Sequence, residues 1–350
     1  MTLTANQPVA NKQRKFLREL EVLLLCATTE MDSHAVNHLQ KLLSEKIDWD
    51  VLVSMGHRHG TMPLLHKQLA THARENVPQE IAEKLRTQAK AKGKQNFILA
   101  SELVRLKELL DSLNVDFIPL KGPCLAVDAY GSLSLRVFAD LDIIVRGVDV
   151  PRVHVALEEA GYEPGPLKTR LTTQFMQSEL FRRLTPEQSY TRGAQGGGYS
   201  SFVVDLHWRL EPPFFDSIDF SNLLANTVEI EVCGQQVRKL NPELELVYLC
   251  LHATRNQWKQ IRFLVDIEQI VRKNPNLDWR NMYDFARSLG AERQVDMALA
   301  LCRRALRMQL PKLPELKKNE IENSDLLKKL ADVTEDEWSW SEPRPYTLRY

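Results

Sequence analysis

Residues 115–145 read VDFIPLKGPCLAVDAYGSLSLRVFADLDIIV, and here the character of the chain changes. The stretches VDFIPL (residues 115–120) and ADLDIIV (residues 139–145) are short and rich in β-branched, aromatic and apolar side chains, which is typical of buried strands. The Lys-Gly-Pro sequence at residues 121–123 predicts a turn, followed by a short helix that continues to Tyr130. We therefore expect a sheet that begins in this part of the chain.

Two carboxylates belong to the second predicted strand. Because side chains alternate along a strand, Asp140 and Asp142 point to one side of it, and Leu141 points to the core. Such a pair of like charges is unfavourable unless a proton, a basic group or a divalent cation compensates it, and carboxylate oxygens suit Mg²⁺ or Mn²⁺. An Asp-x-Asp pair also arises by chance, and the chain contains a second one, Asp48 and Asp50, to which we assign no function.

A third carboxylate, Asp205, lies in the apolar stretch FVVDLHW (residues 202–208) of a strand predicted at residues 200–210. If this strand pairs with the first Asp strand, the three carboxylates can bind two metal ions about 3.5 to 4 Å apart. One ion would activate the attacking hydroxyl and the other would steady the triphosphate. His207, on the same face as Asp205, is expected to hydrogen-bond a metal-binding carboxylate.

The turn at residues 121–123 has features of a phosphate site. Gly122 permits close approach of the backbone to a phosphate, and the N-terminus of the next helix offers free N–H groups. Lys121 adds a positive charge, and Arg136, four residues before Asp140, has a guanidinium that can reach the same phosphates. Taken singly, Lys121 and Arg136 could equally be solvated surface charges.

Helical spacing dominates the rest of the chain. Apolar residues recur at helical intervals between residues 12 and 113, and Asn241 followed by Pro242 predicts the start of a later helix. The remaining predicted elements are a helix at 151–160, a strand at 178–184, a flexible hairpin loop at 191–198, a strand or hairpin at the sheet edge at 229–240, a helix around 295–306 and an extended tail. The fold class is α+β, with a small mixed or antiparallel sheet, and the predicted domains are a helical domain (1–96), a catalytic core (97–240), a second helical domain (241–333) and the tail (334–350).

Composition excludes several classes of protein. The 46 basic and 46 acidic residues of this 350-residue chain leave no net charge, so no global attraction to nucleic acid or an anionic membrane is indicated. The start of the chain lacks signal-peptide order, and apolar runs such as residues 22–27 are much shorter than a membrane span. The five cysteines are scattered, which favours reduced, buried thiols over disulfides or zinc ligands. We expect a cytoplasmic protein without a membrane partner.

The run IPLKGPCLAVDAYGSLSLRVFADLDIIV, with Gly161-Tyr162 and VVDLHWRL after it, resembles the DNA polymerase β-like nucleotidyltransferase superfamily. The likeness is greatest to a bacterial nucleotidyltransferase branch with an LKG, DxD and DLHW signature, and it covers roughly residues 97 to 275. It implies that Asp140 and Asp142 are paired metal ligands and that Asp205 is the third carboxylate. Gly122 would be the glycine of the nucleotide-binding turn, although Pro123 replaces the usual serine or second glycine.

The expected activity is metal-dependent transfer of a nucleoside monophosphate from a nucleoside triphosphate to an acceptor, with release of pyrophosphate. The acceptor is open: an RNA end, a protein side chain or a small molecule. Two alternatives stay open as well. One is a binding module that keeps the fold without turnover, and the other is a glycosyltransferase that uses Asp-x-Asp to hold a metal and a nucleotide diphosphate.

Overall fold

The computed structural model describes residues 9–165, 185–193, 201–210, 219–310 and Trp338, with side chains from residue 18 onward. Its helices are α1 (Val9–Cys26), α2 (Ser33–Leu43), α3 (Trp49–Arg58), α4 (Met62–His72), α5 (Gln79–Ser112), α6 (Gly122–Asp128), α7 (Val150–Glu159), α8 (Phe220–Ala225), α9 (Pro242–Arg255), α10 (Arg262–Lys273), α11 (Trp279–Ser288) and α12 (Glu292–Leu306), with a 3₁₀ turn at Arg74–Asn76. Its strands are β1 (Phe117–Leu120), β2 (Leu141–Val145), β3 (Glu163–Pro164), β4 (Glu187–Gly193), β5 (Ser201–His207), β6 (Thr227–Val232) and β7 (Gln235–Leu240).

The described residues group into two compact units. The first contains those of Met1–Lys90, His252–Gln269 and Asp296–Arg349, and the second those of Ala91–Leu251 and Ile270–Val295. The domain boundaries expected after residues 96, 240 and 333 stay predictions.

The first unit is helical, as its periodicity predicts. Short polar side chains fix where its helices begin: Asp32 accepts a hydrogen bond from the backbone N–H of Ala35, and Asp48 accepts one from Val51. Asp48 therefore has a structural task as a helix cap, and Asp50 lies in the first turn of α3. The Asp-x-Asp pair to which no function was assigned is a feature of a helix start.

The second unit contains a five-stranded sheet in the order β1-β2-β5-β4-β3. Strands β2 and β5 are parallel, and the other neighbouring strands are antiparallel. The sheet is thus mixed, and the α+β class expected from the sequence is confirmed.

Alternation along the strands gives the sheet two different faces. Leu141 and Ile143 of β2 pack into one hydrophobic core, together with Leu206 of β5. The opposite face holds Ile118 and Ile144, which pack in a second core against α8 and α9. Asp142 alternates with Ile143, so its side chain belongs to this second face. The direction predicted for Leu141 is confirmed, and Ile143 shares it.

The helices that flank the sheet agree with the sequence analysis. Asn241 accepts a hydrogen bond from the backbone N–H of Leu244, and Pro242 is the first residue of α9. The short helix after the Lys-Gly-Pro turn, the helix near residues 151–160 and the helix near residues 295–306 are also present, as α6, α7 and α12.

The strand next to β5 differs from the prediction. The hairpin loop predicted at residues 191–198 is wrong for residues 191–193, because these residues lie in β4 and pair with β5. Backbone pairing with a neighbouring strand outweighs the local tendency of Gly193 to form a loop. Residues 194–200 and the strand predicted at residues 178–184 lie outside the described residues.

The hairpin of β6 and β7 was predicted at the edge of the main sheet, and that position is wrong. The two strands form a sheet of their own. Cys233 and Gly234 form its turn, and both have positive φ (50° and 80°), which suits the tight turns that join antiparallel strands. Cys233 is exposed there, so the expectation of buried thiols holds for the other four cysteines only.

The start of strand β2 differs from the prediction. Strand β2 begins at Leu141, two residues later than predicted, because its pairing with β5 begins there, at Val204. Asp140 therefore precedes the strand.

Across the described residues, no helix combines the length and apolar composition that crossing a membrane requires. The predicted extended tail lies outside the description except for Trp338, which is buried and donates a hydrogen bond from Nε1 to the carbonyl of Trp258.

Candidate active site

The turn between β1 and α6 has an unusual backbone. Lys121 has φ 57° and ψ −130°, and Gly122 has φ 50°. Glycine adopts positive φ readily, whereas a residue with a side chain is strained there by about 1–3 kcal/mol. Strain of this kind is most common at functional sites.

The strained turn directs the Lys121 side chain into the protein. Its ammonium nitrogen lies 3.0 Å from Oδ2 of Asp142 and 5.9 Å from the centre of the Tyr248 ring. Both Lys121 and Asp142 are buried. The interpretation of Lys121 as a solvated surface charge is therefore wrong, because it forms a buried ion pair.

The parallel pairing of β2 with β5 brings two of the predicted carboxylates together. The register places Asp142 beside Asp205, on adjacent strands of the same face. Asp140, which is half-buried, lies close enough for its charge to act on Asp205. The three aspartates thus form one acidic group, although they come from distant parts of the sequence.

Asp205 has the environment of a carboxyl group that can take up a proton near neutral pH. Burial and the charge of Asp142 raise its pKa to about 6, and the charge of Asp140 adds to this increase. A hydrogen bond from Ser189 on β4 lowers the pKa in part. Oδ1 of Asp205 is buried and has no hydrogen-bond partner among the described residues. Such an atom calls for a proton, a cation or a ligand.

His207 joins this group from the end of β5. Its Nε2 lies 3.1 Å from Oδ1 of Asp142, as expected for a histidine that contacts a candidate metal ligand. Its Nδ1 lies 3.2 Å from Oε2 of Glu187, a residue that the sequence analysis did not single out. Glu187 is found only once β4 is placed, because the register sets it directly opposite His207.

The oxygen donors fit Mg²⁺ or Mn²⁺ in kind, but the side chains do not form a ready-made cage. Within the described ranges, no group of three or more His, Cys, Asp and Glu side chains is arranged to hold a metal ion. The ammonium of Lys121 supplies positive charge to Asp142 instead. Metal binding at these aspartates would therefore require Lys121 to share or leave Asp142.

Gly122 and Arg136 are the other two predicted nucleotide contacts. Gly122 begins α6, and a Cβ built on it would lie 3.9 Å from the carbonyl oxygen of Asp140. Arg136 is buried, and its charge acts on Glu245 of α9. Its backbone carbonyl accepts a hydrogen bond from Asn96. The interpretation of Arg136 as a solvated surface charge is therefore wrong as well, because its side chain is buried.

A buried ion cluster lies under α6. Lys239 of β7 is fully buried, and its ammonium lies 2.6 Å from Asp128 and 2.5 Å from Glu245. Burial lowers the pKa of Lys239, but the two carboxylates more than offset this effect, and the pKa is raised. Burial raises the pKa of Glu245, against the opposing charges of Lys239 and Arg136. This cluster links α6, β7 and α9.

A family model described as "Uncharacterised nucleotidyltransferase" matches residues 45–307. The chain belongs to this family. The match covers the turn at Lys121, all three aspartates and His207. The nucleotidyltransferase character expected from the sequence is thereby confirmed at the level of the family.

Comparisons with solved structures and with curated proteins do not define the activity further. The crystal structure of an antigenic nucleotidyltransferase-like protein from Paracoccidioides brasiliensis is similar at 17% identity, over 61% of this chain and 93% of that chain, with a TM-score of 0.39. A likeness at this level fixes neither substrate nor mechanism. None of the curated proteins matches the chain.

Proposed function

We propose that this nucleotidyltransferase moves a nucleoside monophosphate group from a nucleoside triphosphate to an acceptor and releases pyrophosphate. The observation that carries the proposal is the register of β2 and β5, which places Asp142 beside Asp205. With Asp140 nearby, the site concentrates carboxylates whose mutual repulsion a divalent cation would relieve.

In this proposal Asp140, Asp142 and Asp205 hold Mg²⁺ or Mn²⁺. When bound, the metal would supply positive charge to the phosphate oxygens and to the leaving pyrophosphate. Two features support this assignment: Oδ1 of Asp205 has no hydrogen-bond partner in the described part of the chain, and the donor set consists of oxygens only.

Asp205 is the proposed base. The acceptor oxygen forms a bond to the α-phosphorus, the bond from the α-phosphorus to the bridging oxygen of pyrophosphate breaks, and the acceptor proton passes to the Asp205 carboxylate. In the metal-free protein, a pKa of about 6 leaves most of this carboxyl ionised at neutral pH and able to accept a proton.

Lys121, Gly122 and Arg136 are the proposed nucleotide contacts. The Lys121 ammonium already lies at the aspartates, so a short movement would bring it to the phosphates. Gly122 lets the start of α6 approach a phosphate without a side chain in the way. Arg136 is proposed to add its guanidinium charge to the phosphates, and its charge also acts on Glu245.

The acceptor stays open among an RNA end, a protein side chain and a small molecule. The cytoplasm is the proposed location, and free thiols at Cys26, Cys124, Cys250 and Cys302 agree with a reducing compartment.

The test uses each α-labelled nucleoside triphosphate with Mg²⁺ or Mn²⁺ and separate RNA, protein and small-molecule fractions of a cell extract. The site variant is Asp140→Asn/Asp142→Asn. The matched control is Asp48→Asn/Asp50→Asn, which makes the same change at the other Asp-x-Asp pair and leaves an oxygen that can cap α3.

We expect label in a new product with the wild type and the control, and none with the site variant. Equal labelling by the site variant would overturn the mechanism. Nucleotide binding without product would favour the binding module, and turnover of nucleotide sugars alone would favour the glycosyltransferase.

A further inference from the structure

Three side chains on three adjacent strands form a continuous line across the site face of the sheet. Glu187 begins β4, His207 ends β5 and Asp142 lies in β2. The register sets Glu187 opposite His207, while Asp142 is displaced by two residues along β2 from Ile144, the partner of His207 on that side. The imidazole therefore spans the gap between two carboxylates of different strands.

Both ring nitrogens of His207 face a carboxylate. Nδ1 lies 3.2 Å from Glu187, and Nε2 lies 3.1 Å from Asp142. A ring held on both sides cannot rotate without losing both contacts at once. If Glu187 were absent, the carboxylate of Asp142 would be the one remaining acidic contact of the ring among the described residues.

The other oxygen of Asp142 is fixed as well, by the Lys121 ammonium at 3.0 Å. His207 and Lys121 thus determine how the carboxylate is turned. In metal sites, partners that orient a ligating group affect metal affinity by roughly 10- to 100-fold, although they do not touch the metal.

We propose that Glu187 is a positioning residue for the acidic site: it fixes the His207 ring, which in turn holds the Asp142 carboxylate in the orientation that receives the divalent cation. The proposal rests on the proposed function in that Asp142 is a metal ligand. Glu187 itself contacts neither the cation nor the nucleotide.

Of the three side chains, Glu187 is the one whose replacement should disturb the fold least. The Glu187 side chain is 25% exposed, whereas those of His207 and Asp142 are 6% and 7% exposed. Removal of Glu187 therefore leaves a space that water can enter, and the fold should tolerate the change. Direct replacement of His207 or Asp142 would remove the contact between them and would also disturb buried packing, so the two effects could not be separated.

The test measures Mn²⁺ binding to the full-length protein without nucleotide, by electron paramagnetic resonance. We expect Glu187→Ala to weaken Mn²⁺ binding roughly 10-fold, at the lower end of the range for partners that orient a ligating group, because Glu187 acts on Asp142 through His207. Glu187→Gln, whose amide oxygen can still accept from Nδ1–H, should restore binding to within roughly threefold of the wild type. Glu158→Ala is the matched control, because it removes a glutamate 3.4 Å from another buried histidine, His154, on α7.

A second measurement needs no metal. The ¹⁵N resonances of the His207 ring, assigned by comparison with His207→Gln, report the tautomer and hydrogen bonds of the ring. They should shift in Glu187→Ala and stay close to the wild-type positions in Glu187→Gln. If Glu187→Ala does not fold, both measurements are made on Glu187→Thr instead, because threonine is favourable in a strand.

The outcomes separate the two proposals. Mn²⁺ affinity within twofold of the wild type in Glu187→Ala, or an unchanged His207 spectrum, overturns the positioning role. Absence of Mn²⁺ binding in the wild type overturns metal binding at Asp142, and with it the role of Glu187 toward the cation, even where the His207 spectrum shifts. Weakened binding with a shifted spectrum, and recovery of both in Glu187→Gln, supports the proposal.

Discussion

Replacement of Lys239 by methionine should destabilise the protein strongly, although Lys239 has no part in the proposed chemistry. The change keeps a long apolar side chain in a fully buried position and removes the cation between Asp128 and Glu245. Removing one partner of a buried ion pair typically costs about 3–5 kcal/mol, because the other charge is left uncompensated.

The burial of the two carboxylates refines this value. The Asp128 side chain is 23% exposed and can recover water, whereas that of Glu245 is 4% exposed and cannot. Apart from the charge of Arg136, which still acts on it, Glu245 can escape the penalty only by taking up a proton. For a group with an ordinary pKa of about 4.3 in the unfolded chain, protonation at pH 7 costs at most about 3.7 kcal/mol. We therefore expect a loss of about 3 kcal/mol at pH 7.

The sign of the pH dependence follows from the same reasoning. In Lys239→Met the folded protein holds a proton on Glu245 that the unfolded chain releases, so the variant gains stability relative to the wild type as the pH falls. At pH 5 the same limit is only about 1 kcal/mol. The double variant Lys239→Met/Glu245→Gln, which has no carboxyl to protonate there, should recover most of the loss at pH 7 and lack this pH dependence.

Urea unfolding at pH 5 and pH 7, followed by circular dichroism, measures these differences. The matched control is Lys107→Met, since Lys107 lies 2.5 Å from Asp111 in an exposed pair on α5. An exposed pair of this kind contributes about 0.3–0.5 kcal/mol. If Lys239→Met loses no more stability than Lys107→Met, or loses the same amount at both pH values, the assignment of a buried charge cluster is wrong.

Two further predictions concern other strained or buried groups. Lys121→Gly should be more stable than Lys121→Ala by about 1 kcal/mol in urea unfolding, because both lose the ion pair and only glycine accepts positive φ without strain; equal stability would argue against the strained turn. Burial lowers the pKa of His59 to about 4, against the hydrogen bond to the Trp338 carbonyl, which raises it, and with help from the Arg58 charge. The unfolded chain therefore binds the extra proton first, and acidification from pH 7 to pH 4 should remove about 3 kcal/mol of stability through this group. His59→Phe should lack this part of the pH dependence, and parallel pH profiles for the two proteins would contradict the prediction.

The direction of the Asp142 side chain could be predicted because its signal is local, although Asp140 precedes the strand. Alternation along a short apolar stretch determines that the side chain of Asp142 leaves the core in which Leu141 and Ile143 are buried. The partnership with Asp205 was conditional on strand pairing, and the structure supplies that pairing.

Strand β4 shows why other parts could not be predicted. Its sequence, EQSYTRG, alternates between more and less buried positions, but a buried position is occupied by Gln188 rather than by an apolar residue. The pattern of hydrophobicity that identifies a strand is therefore weak here. Without β4, neither Ser189 nor Glu187 could be placed near the site.

The ion pair of Lys121 with Asp142 depends on a backbone conformation that no residue pattern indicates. The sequence suggests a glycine turn, but positive φ begins one residue earlier, at Lys121. Similarly, the sequence predicts the hairpin of β6 and β7, but tertiary packing decides which sheet the hairpin joins.

The parallel pairing of β2 with β5 also bears on the order of folding. Strands β1 and β2 are close in sequence and can meet early, whereas the register of Asp142 with Asp205 joins positions 63 residues apart. Closing the longer loop costs more chain entropy, so the pairing of β2 with β5 should follow the pairing of β1 with β2. A partly folded chain in which only β1 and β2 have paired therefore carries the Asp140–Asp142 pair without the third carboxylate, and the complete acidic group appears only when β5 docks.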